Sequence, residues 1–334
     1  MGCQRAAVWA SFLGGLSLAC PQLRDDDFAH VPASIGGASG EADTTPPSVV
    51  ASAPSDGASG VPSDAQIEIR FSEPMDTSAT EAAYGSSELP PSDVGFSWRD
   101  DDSVLVIAPA RPLTIASGSD RAQVTAREYS LELGAGARDR AGNPLAPFSL
   151  SFDAARELTR VIDASVDRTL SGNWRSDGNY GVEVCEIADA TICVGDSPAA
   201  GVPTYRGFVT FDLNALPSDQ LAIRSAVLRL TIALAYNLPF QALGALSVEQ
   251  VRFASIGTAA FAAPGELSLG TLATRAVVGD TLSLDASAAV QADAADGVNQ
   301  YRLRFERDNV DDGAPNVVVF DLADTQLSVT YLVP

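Results

Sequence analysis

The residue types present exclude most common catalytic chemistry. All 21 basic residues among the 334 are arginine. Without lysine there is no Schiff-base amine and no phosphate-cradling P-loop lysine. The single histidine, His30, sits in a stretch of Ala, Gly, Ser and Asp. A Ser/His/Asp triad needs its imidazole held within reach of the nucleophile, and a histidine zinc site needs companion ligands. His30 meets neither demand. Carboxylates number 43, yet no spacing singles out an acid/base pair. Binding groups remain. Trp174, Arg175, Asp177, Asn179 and Tyr180 crowd into SGNWRSDGNYG at 171–181. Aromatic rings stack on the C–H faces of sugars, while Arg, Asp and Asn bond to their hydroxyls. This loop is the candidate carbohydrate contact, with loop packing and turn formation as the alternative use of the same residues.

Calcium is the one cofactor admitted, and only as a structural ion. Asp163, Asp167 and Asp177 offer oxygen ligands, as do Asp308, Asp311 and Asp312. The DNVDDG run departs from the EF-hand pattern, with Val310 third and Val319 twelfth. Asp100, Asp101 and Asp102 fall where a hairpin tip is expected, and a solvated turn suits them better than a metal. The formal net charge of −22 excludes nucleic acid as a partner, because phosphate binding needs basic patches. It also disfavours polyanions unless arginines cluster locally. A neutral polysaccharide is the expected partner. No oligomeric state is readable.

Four cysteines divide by position. The N-terminus, MGCQRAAVWASFLGGLSLAC, has Arg5 followed by an uncharged, mostly apolar run at 6–19. That run has the length of a signal peptide and is too short to cross a bilayer comfortably. Its end, Leu18-Ala19-Cys20, resembles the lipobox of bacterial lipoproteins, although Ser17 stands where that motif prefers leucine. The resemblance implies cleavage before Cys20 and lipidation of Cys20, so the membrane is met only through a lipid anchor. An ordinary cleaved signal is the alternative. Export and loss of Cys3 leave Cys185 and Cys193, in VCEIADATIC, as an expected disulfide. Residues 20–45, with DDD, GGASG and EADTT, read as a disordered tether reaching roughly 25–30 Å.

From Pro46 onward short β runs alternate with Pro/Gly/Ser/Asp turns. Ile67, Ile69 and Phe71 share one face of QIEIRFS, and SVLVIAP at 103–109 and EYSLELG at 128–134 follow. The motifs APSDGASGVP at 53–62, IEIRFSEPMD at 67–76, APARPL at 108–113 and DRAGNPL at 139–145 occur in an order that resembles a bacterial Ig-like family of surface-layer and cell-wall proteins. That resemblance spans 46–153 and implies a spacer or adhesive β-sandwich.

Residues 157–334 form a second β unit. YRGFVTFDLNALP at 205–217 alternates and then breaks into a turn, and in IRSAVLRLTIALA the residues Ala226, Leu228, Leu230 and Ile232 line one face. Further strands are expected at 246–254, 280–287, 300–307, 316–322 and 326–333, with one short helix at 288–296. SDGNYG, RGFVTFDLNALP and IRSAVLRL together resemble DNRLRE-type and carbohydrate-binding-module-like jelly rolls. The CEIADATIC insertion and Ala286 and Ala288 depart from that pattern. Phe211 and Leu213 are then expected in the core, with Asp212 holding turn amides.

The expected fold is all-β: signal peptide 1–19, tether 20–45, an Ig-like β-sandwich at 46–153 and a jelly-roll β-sandwich at 157–334. The expected function is non-enzymatic: an exported, lipid-anchored protein of the outer membrane or cell surface that presents a polysaccharide-binding module. A purely structural or adhesive protein, and a carboxylate-dependent polysaccharide-degrading enzyme, are the alternatives.

Overall fold

The structure is a computed structural model that describes residues 43–178, 191–198, 201 and 203–334. The signal peptide, Cys20, His30 and nearly all of the tether lie outside these residues, as do Asn179, Tyr180 and Cys185. The chain divides into residues 1–43 and one compact unit from Thr44 to Pro334. That unit is all-β, an Ig-like sandwich followed by a second sandwich. Among the described residues no helix is long and apolar enough to cross a membrane.

The Ig-like part contains β1 (Val49–Ala53), β2 (Ala58–Val61), β3 (Ile67–Phe71), β4 (Tyr84–Gly85), β5 (Val94–Arg99), β6 (Val104–Pro109), β7 (Ala116–Gly118), β8 (Glu128–Leu133) and β9 (Phe148–Ala154). Two four-stranded sheets, ordered β1-β3-β6-β5 and β2-β9-β8-β4, face each other. Alternation places Ile67, Ile69 and Phe71 inward, against Leu105, Ile107, Leu131 and Leu133. A short helix that alternation did not reveal, α1 (Thr77–Ala82), is capped by Asp76, whose side chain accepts the N–H of Ala79. The β5–β6 tip is the expected aspartate turn. Asp100, Asp101 and Asp102 all adopt positive φ and pair with Arg70 and Arg140.

The second part contains β10 (Arg156–Asp163), β11 (Gly172–Arg175), β12 (Thr191–Asp196), β13 (Thr204–Asp212), β14 (Ala222–Tyr236), β15 (Leu246–Gln250), β16 (Leu267–Ala273), β17 (Thr281–Asp285), β18 (Val298–Phe305), β19 (Asn316–Asp321) and β20 (Gln326–Val333). The long β14 joins two curled sheets. Its first half pairs with β17 and β20, and after a register shift between Ile232 and Leu234 its second half pairs with β19. An extra residue at such a shift bends the strand, which lets it leave one sheet for the other. Ala226, Leu228, Leu230 and Ile232 face the core as expected, and all are essentially fully buried. The helix expected at 288–296 is α4 (Ser287–Asp293). It is not the only one here: α2 (Pro239–Leu243) and α3 (Thr258–Ala262) are single-turn elements too short to show a period.

The two sandwiches are joined by more than chain continuity. Strand β7 of the Ig-like region pairs in parallel with β10, Ala116 opposite Arg156 and Gly118 opposite Leu158. Arg121 Nη1 then donates to both carboxylate oxygens of Asp219, at 2.9 and 2.7 Å. Arg156 donates to the carbonyl of Pro334.

Candidate binding cleft

Strand β13 organises the site because both of its faces are covered. Val209 and Phe211 enter the main core. On the opposite face Phe208 packs with Ile256 and Ala260, against which Trp174, Phe253 and Phe261 lie. A buried guanidinium holds that cover down. Arg302 on β18 bonds to Glu249 at 2.9 Å and donates to the carbonyls of Phe261 and Ala263 at 2.8 and 2.7 Å. Burial pushes the Arg302 guanidinium below its ordinary value, against the pull of Glu249.

A cleft of 930 Å³ opens where β13 and β15 end and β18 begins. Its lining mixes apolar Leu170, Val251, Phe253 and Val298 with polar Thr210, Asp212, Asn214, Arg252, Asp293, Asp296 and Gln300. Strand β15 stops at Gln250, so Val251–Ala254 leave the ladder and turn into the cleft. The Phe253 ring meets buried Phe208 edge-on, centroids 5.4 Å apart at 78°. Its backbone N–H donates to Gln300 Oε1 at 3.0 Å. Gln300 Nε2 donates to Thr210 Oγ1 at 3.3 Å, and Thr210 donates to the Leu170 carbonyl at 2.7 Å. Phe208 thus holds the Phe253 ring, and Gln300 holds its backbone.

Beside it lies a second network. Asp293, 2% exposed, accepts Gln250 Nε2 and Asn299 Nδ2, each at 2.8 Å, on one oxygen. Its other oxygen accepts Arg252 Nη2 at 2.6 Å. Arg252 also reaches Asp296 at 2.6 Å and Glu266 at 3.0 Å. These carboxylates, Asp296 first, raise the guanidinium above its usual range. Asp212 accepts Asn214 N at 3.0 Å, the turn-holding role expected of it. Each carboxylate lining the cleft thus already holds a protein donor.

The residues of the 171–181 loop are placed differently. Trp174 on β11 sits opposite Arg206 of β13 and packs half-buried against the Phe208 cluster. Arg175 bonds to Asp177 through Nε and Nη2, at 2.7 and 2.5 Å, and this pairing raises the guanidinium. The calcium candidates serve separate local contacts. Asp163 accepts Gln326 Nε2, Asp167 closes a turn on Thr169, and Asp177 holds Arg175. Among the alternatives, Asp308 pairs with Arg206, and Asp312 accepts Ala314 N and Asn316 Nδ2. Neither aspartate set brings three ligand atoms within 4.8 Å of one another. Cys193 is fully buried on β12.

Arg252 and Phe253 escaped sequence reasoning because QVRFA continues the alternation of β15, and nothing local marks the strand's end at Gln250. Asp293 and Asp296 carried a usable signal, since acids three apart share a face in the helix expected at 288–296, although α4 itself ends at Asp293.

Residues 43–154 match the family model described as a bacterial Ig-like domain. No curated protein sequence matches the chain. Among solved structures, an L,D-transpeptidase from Mycobacterium smegmatis is 16% identical, covering 68% of this chain and 75% of its own, with a TM-score of 0.24. The N-terminal part of the bacterial S-layer protein SbsC is 9% identical, covering 50% and 40%, with a TM-score of 0.24. The SGBP-B protein of the Bacteroides ovatus mixed-linkage glucan utilization locus, solved with a mixed-linkage heptasaccharide, is 8% identical, covering 86% and 76%, with a TM-score of 0.18. At these TM-scores none of the three defines a function for this chain.

Proposed function

We propose that this is an exported, lipid-anchored surface protein whose second sandwich, jelly-roll in kind, binds polysaccharide without cleaving it. One observation carries the reading: the Phe253 ring, held by Phe208 with its backbone held by Gln300, shares an open cleft with the half-exposed Arg252 side chain. An apolar face beside convergent polar groups is what a sugar needs, and pre-ordering lowers the cost of binding. Catalysis is disfavoured because Asp212, Asp293 and Asp296 are each engaged by protein donors, whereas a general acid or base must exchange its proton with substrate. The Ig-like match supports a surface location.

The test is affinity electrophoresis of the full chain in gels carrying individual polysaccharides. Phe253→Ala should weaken retention severalfold and Phe253→Tyr should preserve it. Retention by the alanine variant equal to the parent's removes the cleft from the reading. For the anchor, Cys20→Ser should move the protein from the detergent phase to the aqueous phase. Unchanged partitioning contradicts lipidation.

A further inference from the structure

Resting on the reading of the cleft as a glycan site, we propose that the Arg252 cage makes it selective for uncharged sugars and closed to uronate-type polyanions. An exposed arginine ordinarily invites carboxylates, which its planar fork binds through two parallel N–H bonds. Arg252 has already given three of its five N–H groups to the protein's own carboxylates. Its Nε–H is taken by Glu266, one Nη1–H by Asp296 and one Nη2–H by Asp293. Of five N–H groups two remain, one on each terminal nitrogen. Those two can still meet neutral acceptors such as a pair of hydroxyls.

The electrostatic balance points the same way. Three carboxylates around one guanidinium leave two net negative charges in the cage. Asp212 adds another along the same cleft. The cage is also built rather than incidental. Asp293 is buried and fixed by Gln250 and Asn299, so the guanidinium is held by an anchor that cannot swing away to admit an anion. Glu266 and Asp296 are about half exposed, with side-chain values of 43% and 53%. They can be neutralised with little risk to folding.

The test uses the full chain and its Glu266→Gln/Asp296→Asn variant, with Glu266→Gln alone as a milder companion outside the cleft lining. Probes are soluble neutral β-glucan, xylan and galactomannan, and polygalacturonate as the anion. The parent should be retained by at least one neutral polymer and not by polygalacturonate. The double variant should gain polygalacturonate retention of about tenfold or more at low salt, lost on adding salt to about 0.5 M, because the new contact is an ion pair. Retention by the neutral polymer is read on Glu266→Gln, which lies outside the cleft lining, and should stay within about twofold of the parent's. In polygalacturonate retention the single variant should fall between. Polygalacturonate retention that is equal in parent and variants overturns the selectivity while leaving the glycan reading intact. A parent retained by none of the four polymers overturns both.

Discussion

The two sandwiches solve the same packing problem with different interiors. In the Ig-like part the described buried polar residues are Thr80 and Asp139, while in the second sandwich there are twelve, among them Thr210, Gln250, Asp293, Asn299, Gln300 and Arg302. The ion pairs of the Ig-like part, Arg70–Asp100, Arg138–Asp76 and Arg140–Asp102, are largely exposed. Exposed pairs contribute little, whereas buried polar groups cost stability unless every partner is in place. Among its described residues the Ig-like core is almost wholly apolar. The second sandwich buries a connected polar network directly beneath a cleft, and such a network fixes geometry at the expense of tolerance to change.

The contrast is sharpest at two glycines with positive φ. A Cβ on Gly195 of β12 would lie 2.0 Å from the Asn316 carbonyl oxygen, whereas one on Gly142 of the Ig-like part meets nothing within 4 Å. Gly195→Ala should therefore lose about 4 kcal/mol or more and Gly142→Ala about 1 kcal/mol, measured by urea unfolding. Because β7 pairs across to β10, both losses should appear in one cooperative transition. Two separated transitions would show that the sandwiches fold independently. Next in size is the anchor of the cleft. Asp293→Ala strands Gln250, Asn299 and Arg252 and should cost about 3 kcal/mol, against about 0.5 kcal/mol for Asp100→Ala at the exposed β5–β6 tip. Equal losses would erase the distinction between the two interiors.

The strands were legible because alternation is a local property of sequence. Ile67, Ile69 and Phe71, and Ala226 through Ile232, occupy the faces their spacing assigned. Phe211 and Leu213 went to the core and Asp212 to its turn for the same reason. The cleft was illegible because it depends on where strands stop. Gln250 ends β15 without a glycine or proline to mark it, and Arg252, Asp293 and Gln300 meet only through the pairing of β15, β18 and β13. Trp174 looked like a platform because a loop dense in Gly and Asn suggests exposure. Instead residues 172–175 pair with β13, and the ring packs half-buried against the Phe208 cluster.

Smaller effects refine the comparison. Pairing of Cys185 with Cys193 would close a short loop, so Cys185→Ser should cost about 2–3 kcal/mol. Non-reducing peptide mapping that joins Cys193 to another cysteine would refute this pairing. In the Ig-like part the Ala79 N–H, then Ser78 and Arg138, hold the Asp76 carboxyl below the usual carboxylate range. A depressed folded-state value gives stability that is present above the unfolded value and is lost as pH falls through the folded one. Melting curves of the parent and Asp76→Asn should therefore differ at neutral pH and converge in acid. A gap independent of pH would exclude the carboxylate as its source.

The most direct measurement of the cleft's role is an amide NMR titration of the full chain with a short oligomer of whichever neutral polysaccharide retains it. Shifts should concentrate at Thr210, Val251–Ala254 and Val298–Gln300, with the Phe253 amide among the largest because it is bonded to Gln300 beside the ring. Shifts confined to the Ig-like sandwich or to residues 171–178, with the cleft amides unmoved, would contradict the assignment of binding to this cleft.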